Sequence, residues 1–211
     1  MSPSRFKIML AKTNEEREKV YRFRYKVYVE EMKRPTHADH QRKIVTDEFD
    51  NFKSSLFYAS FLDEVIGTAR VNFKRDGHIE FEKEYQLERF APFYDYITTT
   101  SKFMIDSRFR RGFLTLQFVT EIYEFGKKND VMLDFINVNP PLDKFYEHIG
   151  YRKYKEEFIH PEYGSVIPMI MVLDDVVHLE HVRSPLARIA AKYRHYPDDI
   201  LNFLKREGIL S

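Results

Sequence analysis

Cysteine and tryptophan are both absent from the 211 residues. Without a thiol there are no disulfides, no thiolate zinc sites and no cysteine nucleophile, and the redox compartment is left open. The N-terminal MSPSRFKIMLAK has no apolar run of signal-peptide length, and no stretch approaches a membrane span, so a cytoplasmic protein is the expectation. An excess of one charge is missing too. Lys and Arg number 34 against 33 Asp and Glu, which gives no reason to expect a nucleic-acid partner and makes any basic site local. No GxSxG elbow, P-loop or dinucleotide glycine motif occurs. What is abundant is aromatic: 19 Phe and 14 Tyr, which fill a core or line a slot for an acyl chain. The length suits one compact domain.

Periodicity outlines an alternation of strands and helices. Arg5–Leu10 reads as a strand, and Thr13 or Asn14 before acidic residues starts a helix that runs to about Glu31. Its apolar arc holds Val20, Tyr21, Phe23, Val27 and Tyr28, with Arg24 near the centre. A guanidinium on a core-facing surface requires a carboxylate, and Asp47 and Asp50 are the nearest in sequence. His37–Phe52 reads as an ordered loop. Ser55–Leu62 and Val65–Phe73 form a predicted hairpin about Asp63-Glu64, and Asp76-Gly77 ends its second strand. Glu80–Tyr94 is weakly helical and closed by Pro92. Thr98–Ile105 is a strand, Gly112–Lys128 an amphipathic helix with Gly126 on its buried face, and Val131–Val138 a buried strand. Pro140-Pro141 opens a short helix with Leu142, Phe145, Tyr146 and Ile149 on one face, stopped by Gly150. Tyr151–Phe158 and Val166–Leu173 are strands joined by a turn at Pro161–Gly164. Ser184-Pro185 and Pro197 begin two further helices, the second stopped by Gly208.

The chemistry concentrates between Thr98 and Phe158. Arg108, Arg110, Arg111 and Gly112 precede a predicted helix N-terminus, where free N–H groups and the dipole suit an anion; a solvated basic turn is the competing reading. His37 with His40, and Asp174, Asp175, His178 and His181, have helical metal-ligand spacings but no matching second cluster, so they read as solvated surface and no metal is expected. Arg183, Arg188, Lys192 and Arg194 suit a solvated helix face, an acidic carrier protein or a peripheral membrane contact.

SKFMIDSRFRRGFLTLQFVTEIYEFGKK and the following NVNPPLDKFYEHIGYRKY resemble the acyl-donor segments of the GNAT superfamily, over about a quarter of the chain. YRFRYKVYVEEM, TDEFD, VIGTARVNF and SKF resemble, in order, the acyl-homoserine-lactone (autoinducer) synthases and the long-chain N-acyl amino acid synthases. The matching positions are Arg24, Tyr28, Asp47, Asp50, Arg70, Ser101 and Lys102. HVRSPLARIAAKY looks like the helical tail of the second group. Two departures point away from a lactone synthase: the usual Trp after the first helix is missing, and the acidic residue before the Ser-Arg pair is Thr here, about Thr99.

The resemblance implies an α/β fold with a central mixed, mostly antiparallel twisted sheet flanked by helices. Residues 1–175 are the expected GNAT-like domain, and 176–211 a helical extension packed on it. It implies an N-acyltransferase that moves a long-chain acyl group from an acyl carrier protein or coenzyme A thioester to the amino group of an amino acid or small amine. In that family the strand donates backbone N–H groups to the thioester carbonyl and the helix N-terminus takes the pyrophosphate. The implied donor-binding residues are Phe103, Met104, Ile105, Arg108, Arg110, Arg111, Gly112, Phe113 and Asn139. Tyr146 is placed to protonate the leaving thiolate, with Asp106 as the candidate base or, equally, a partner of the arginines. Arg24, Tyr28, Asp50, Arg70, Ser101 and Lys102 would hold the acceptor or form a buried ionic network. The family's two spaced small residues after the loop Arg are replaced by Phe113, Leu114 and Leu116, which favours a carrier protein over coenzyme A. Short-chain acetyl transfer and a non-catalytic carrier-binding domain are the rival readings.

Overall fold

The computed structural model describes residues 6–110, 112–193 and 198–210. Arg5, Arg111, Arg194 and Pro197 lie outside the described residues. The chain divides into two compact units, Met1–Asn72 with Thr100–Ile122, and Phe73–Thr99 with Tyr123–Ser211. The hydrogen-bonded strand order is β1 (Lys7–Leu10), β2 (Ser55–Phe61), β3 (Glu64–Phe73), β4 (Ile97–Ile105), β5 (Leu133–Val138), β8 (Gly164–Val172) and β6 (Arg152–Lys153), with β7 (Phe158–His160) on β8. The pairings described below are antiparallel except that of β4 with β5, which makes this the mixed, mostly antiparallel sheet of the expected α/β fold.

In the first unit, β1 (Lys7–Leu10) pairs with β2 (Ser55–Phe61), and β2 with β3 (Glu64–Phe73) across the anticipated hairpin. Helix α1 (Asn14–Tyr25) begins where a capping box satisfies its first N–H groups: Thr13 Oγ1 accepts from Glu16 N, and Glu16 Oε2 accepts from Thr13 N. Beyond Tyr25 the helix widens into a π turn over Lys26–Glu31 instead of continuing as α. The α-helical wheel still places Val20, Phe23, Arg24, Val27 and Tyr28 in the interior, while Tyr21 is half-buried. Helix α2 (Phe113–Lys128) lays Phe118 against Gly67 of β3, where a Cβ would stand 2.7 Å from the ring.

In the second unit the start of β4 (Ile97–Ile105) pairs in parallel with β5 (Leu133–Val138) through Ile97–Leu133, Thr98–Asp134 and Thr99–Phe135. β5 then pairs with β8 (Gly164–Val172), which also receives β6 (Arg152–Lys153) and β7 (Phe158–His160). The strand expected over Tyr151–Phe158 is therefore two short ones. Tyr154 separates them by burying its ring against Phe90 and Phe135 and donating its hydroxyl to Tyr85 O at 2.9 Å. The weak helix of Glu80–Tyr94 is a set of turns followed by a 3-10 segment at Leu87–Tyr96, which Pro92 does not close.

Helix α3 (Asp143–Ile149) follows a 3-10 turn at Pro140–Leu142, and Gly150, at φ 127°, ends it. Only Ile149 of its predicted apolar face is buried, whereas Leu142 and Phe145 are open. A short helix, α4 (Val176–His181), opens the segment expected as a helical extension; Asp175 caps it by accepting from His178 N. Ser184 does not cap a helix. It is buried, donates to Ile149 O and accepts from Leu186 N before α5 (Ala187–Ala190). Helix α6 (Asp198–Arg206) sends Ile200 and Leu204 into the core of Phe90, Ile97, Leu133 and Phe135. At Gly126 a Cβ would lie 2.9 Å from Leu173, the close approach its place on the buried face foretells.

Candidate active site

The first unit gathers the charged residues that the sequence leaves open between substrate contact and structure. The TDEFD stretch is a tight turn: Asp47 Oδ1 accepts from Phe49 N at 3.0 Å, and Asp50 Oδ2 accepts from Asp47 N at 3.0 Å. The turn presents both carboxylates to one place. Arg24, fully buried, donates to Asp50 Oδ2 at 2.7 Å. Arg70, also fully buried, pairs with Asp47 and with Asp50 Oδ1 at 3.1 Å, and its Nε donates to Ser101 Oγ at 3.1 Å. Lys102 meets Asp47 Oδ2 at 3.0 Å and lies over the Tyr28 ring. Of the two partners foreseen for Arg24, Asp50 takes that role, and Asp47 serves Arg70 and Lys102.

Exposure shows where the network opens. The side chains of Arg24, Arg70 and Asp50 are at most 2 % accessible and that of Lys102 6 %, but Asp47 retains 28 %. Burial pushes the Asp47 carboxyl up, yet Arg70 and Lys102 outweigh it and hold its pKa at about 2. Asp50 is likewise lowered: burial and the Asp47 charge oppose Arg24 and Arg70, and the two guanidiniums win. Both aspartates are ionised at neutral pH. Two N–H sites of Arg24, on Nε and Nη2, have no hydrogen-bond acceptor, and the guanidinium lies over the Tyr21 ring at 5.4 Å.

Within β4, Lys102 has φ 52°, a left-handed conformation inside a strand. Such a residue interrupts the regular ladder and re-aims its neighbours, a distortion found at functional sites. Phe103, Met104 and Ile105 follow it, the last two buried and Phe103 packed on Phe118 at 5.7 Å.

The basic turn is more occupied than the sequence suggests. Arg108 donates to Asp106 through its backbone at 3.0 Å and Nε at 2.9 Å, and also reaches Glu64. Arg110 pairs with Glu31 and donates to Ile105 O at 2.8 Å. Gly112 N is bonded to Phe109 O at 3.1 Å, so that N–H is not free for a phosphate, and Phe113 is 64 % exposed at the helix start. Asp106 is paired with Arg108 and Lys26, the partnership that the sequence offers as its alternative to the role of base. Arg108 lowers its pKa, against a smaller opposing effect of burial, and Lys26 at 3.0 Å lowers it further, leaving a carboxylate with little affinity for a proton.

The second unit holds the tyrosine candidate. Tyr146, half-buried on α3, lies between the edges of Phe145 at 5.2 Å and Tyr151 at 5.7 Å. Tyr151 donates its hydroxyl to Asp134 Oδ2 at 2.6 Å, and Asp134 Oδ1 accepts from Thr98 at 2.7 Å. Neither Asp134 nor Tyr151 is apparent as a site residue from sequence, because one acidic residue in a buried strand has no local partner. Asn139 donates its amide to Tyr163 O and Ser165 O, both at 2.9 Å, and so pins the β7–β8 turn. Asp174 and Asp175 are buried and not solvated as expected; Lys127 and Arg152 pair with them. Among the described residues no group of three or more His, Cys, Asp or Glu is arranged to hold a metal. No described helix is long and apolar enough to cross a membrane.

The family model described as N-acyl amino acid synthase FeeM matches residues 19–174. The chain belongs to this family. Its relation to the FeeM family is seen in the fold as well. The structure of FeeM, an N-acyl amino acid synthase from uncultured soil microbes, is 14% identical, with a TM-score of 0.68 over 90% of this chain and 100% of that one. The coenzyme A-dependent acyl-homoserine lactone synthase MesI is 15% identical, with a TM-score of 0.64 over 84% and 93%. The acyl-homoserine lactone synthase LasI is 14% identical, with a TM-score of 0.62 over 80% and 89%. A comparison with curated protein sequences finds no match. The protein is thus a GNAT-fold acyltransferase related to the FeeM synthases. The residues on which the sequence resemblance rests, Arg24, Tyr28, Asp47, Asp50, Arg70, Ser101 and Lys102, fall in one cluster.

Proposed function

We propose that this acyltransferase moves a long-chain acyl group from a carrier thioester to the amino group of an amino acid. The observation that carries the reading is the open end of the ionic network, where the partly exposed Asp47 carboxylate stands beside the Lys102 ammonium. Adjacent opposite charges with a buried guanidinium behind them complement a zwitterion: the acceptor's ammonium goes to Asp47 and its carboxylate to Lys102. A simple amine would use only half of this site. Arg24, Arg70, Asp50 and Ser101 hold the two outer groups in place, and Tyr28 walls the Lys102 side.

The amine must lose a proton before it attacks the thioester carbon. With pKa values held down, neither Asp47 nor Asp106 takes it, and solvent does. The oxyanion is received by backbone N–H groups near the Lys102 distortion, among Phe103, Met104 and Ile105. As the C–S bond breaks, the Tyr146 hydroxyl gives its proton to the thiolate, and the proton released by the amine restores the phenol through water. Arg108 and Arg110 supply charge for the donor's phosphate after exchanging their present carboxylate partners. The bonded Gly112 N–H and the bulky, exposed Phe113 favour an acyl carrier protein over free coenzyme A.

Mass spectrometry of lipid extracts from cells expressing the protein tests this reading. New long-chain N-acyl amino acids, lost with Tyr146→Phe, support it. An unchanged lipid profile, or short N-acetyl products alone, overturns it.

A further inference from the structure

We infer that Asp134 and Tyr151 are positioning residues that aim the Tyr146 phenol; the inference rests on Tyr146 as the proton donor proposed above. The problem they solve arises from helix α3. It has seven residues, too few to be stable alone, and the side chains of Leu142 and Phe145 on its expected inner face are open to solvent. A hydroxyl that must meet a thiolate needs placement within a fraction of an ångström.

The anchor lies just beyond the helix. Tyr151 N donates to Tyr146 O at 3.0 Å, and its ring meets the Tyr146 ring edge-on at 5.7 Å with an interplanar angle of 76°. The same residue therefore fixes both backbone and ring of the proton donor. Its other end is tied to the sheet through Asp134 on β5, at 2.6 Å, and Asp134 is tied in turn to Thr98 on β4, at 2.7 Å. A carboxylate buried to this depth is costly in a sheet interior. An aliphatic pair would fill the space at less expense but would leave the Tyr151 ring free to tilt. The hydrogen bonds set its angle, and through it that of Tyr146. Burial first, and the Asp134 charge second, raise the Tyr151 pKa well above the usual phenol range, so the hydroxyl remains a donor and the anchor does not release as pH rises through neutrality.

The test measures thiol release from palmitoyl acyl carrier protein or palmitoyl-coenzyme A, whichever the wild type turns over faster, with the nineteen amino acids other than cysteine as acceptors. The protein has no cysteine, so a thiol reagent reads only the product. Tyr151→Phe keeps the ring and removes the tether, and is expected to lower kcat by about ten- to a hundredfold with KM for the acceptors within about twofold. Asp134→Asn is expected to lower kcat in the same direction. The variant Tyr146→Phe/Tyr151→Phe is expected to be no slower than Tyr146→Phe alone, because Tyr151 acts through Tyr146. Wild-type kcat in both Tyr151→Phe and Asp134→Asn, or multiplicative losses in the double variant, would overturn the inference while leaving Tyr146 in place. Wild-type kcat in Tyr146→Phe would instead remove the underlying assignment.

Discussion

Arg24 and Asp50 meet at 2.7 Å with neither side chain more than 2 % accessible, a pair as deeply withdrawn as that of Arg70 with the same carboxylate. Breaking such a pair from one side leaves an uncompensated buried charge. Asp50→Ala is therefore expected to destabilise the protein by about 3–5 kcal/mol in urea titrations. Replacing both partners with Arg24→Met and Asp50→Leu is expected to cost less than the sum of the single changes. A fully additive pair would show that the two charges are not coupled.

The network also sets an acid limit. The Asp47 pKa, about 2 in the folded protein, lies below its ordinary value near 3.8. A depressed carboxylate adds stability that is fully present above the ordinary value and is lost as pH falls through the folded one. Unfolding free energy is expected to drop by about 2 kcal/mol between pH 4 and pH 2 from this group. Asp47→Asn is expected to flatten that slope. At pH 6–8 neither Asp47 nor Asp106 titrates, so no limb of the rate profile there belongs to them.

Sequence carries this network further than the rest of the site because its members announce themselves. Arg24 stands in an apolar arc, and a charge in that position demands a partner. Thr13 and Glu16 advertise the start of α1 just as openly, through a side-chain pattern complete within four residues. Asp134 gives no such signal. In VMLDFINV it is one polar letter in a buried strand, and its partner Tyr151 lies 17 residues away on another element. The bounds of α4 within the expected helical extension escape for want of length, since six residues span less than two turns and show no period. The π turn after Tyr25 escapes because a wheel drawn at 3.6 residues per turn assumes the geometry it is meant to detect.

Asn139 is expected to behave as a hinge pin for β7 and β8 more than as a donor contact. Its amide serves two carbonyls, Tyr163 O and Ser165 O. Asn139→Ala is expected to destabilise the protein by about 1–3 kcal/mol, the range for losing two part-buried hydrogen bonds. Faster amide exchange should be confined to Phe158–Val166. A tenfold rise in donor KM with unchanged stability would return Asn139 to the donor site.

Gly150 joins α3 to Tyr151, and its geometry admits nothing larger. At φ 127° a side chain is strained whatever the space, and here a Cβ would collide with Leu179 Cδ2. Leu179 is fully buried on α4, so it has little room to withdraw. Backbone strain and overpacking each contribute about 1–3 kcal/mol, and Gly150→Ala is expected to destabilise by about 2 kcal/mol or more. Adding Leu179→Ala relieves the clash but not the backbone. The double variant is therefore expected to be more stable than the two single losses predict, by a coupling measurable in urea titrations. If the two losses simply add, the Leu179 contact is not what confines residue 150.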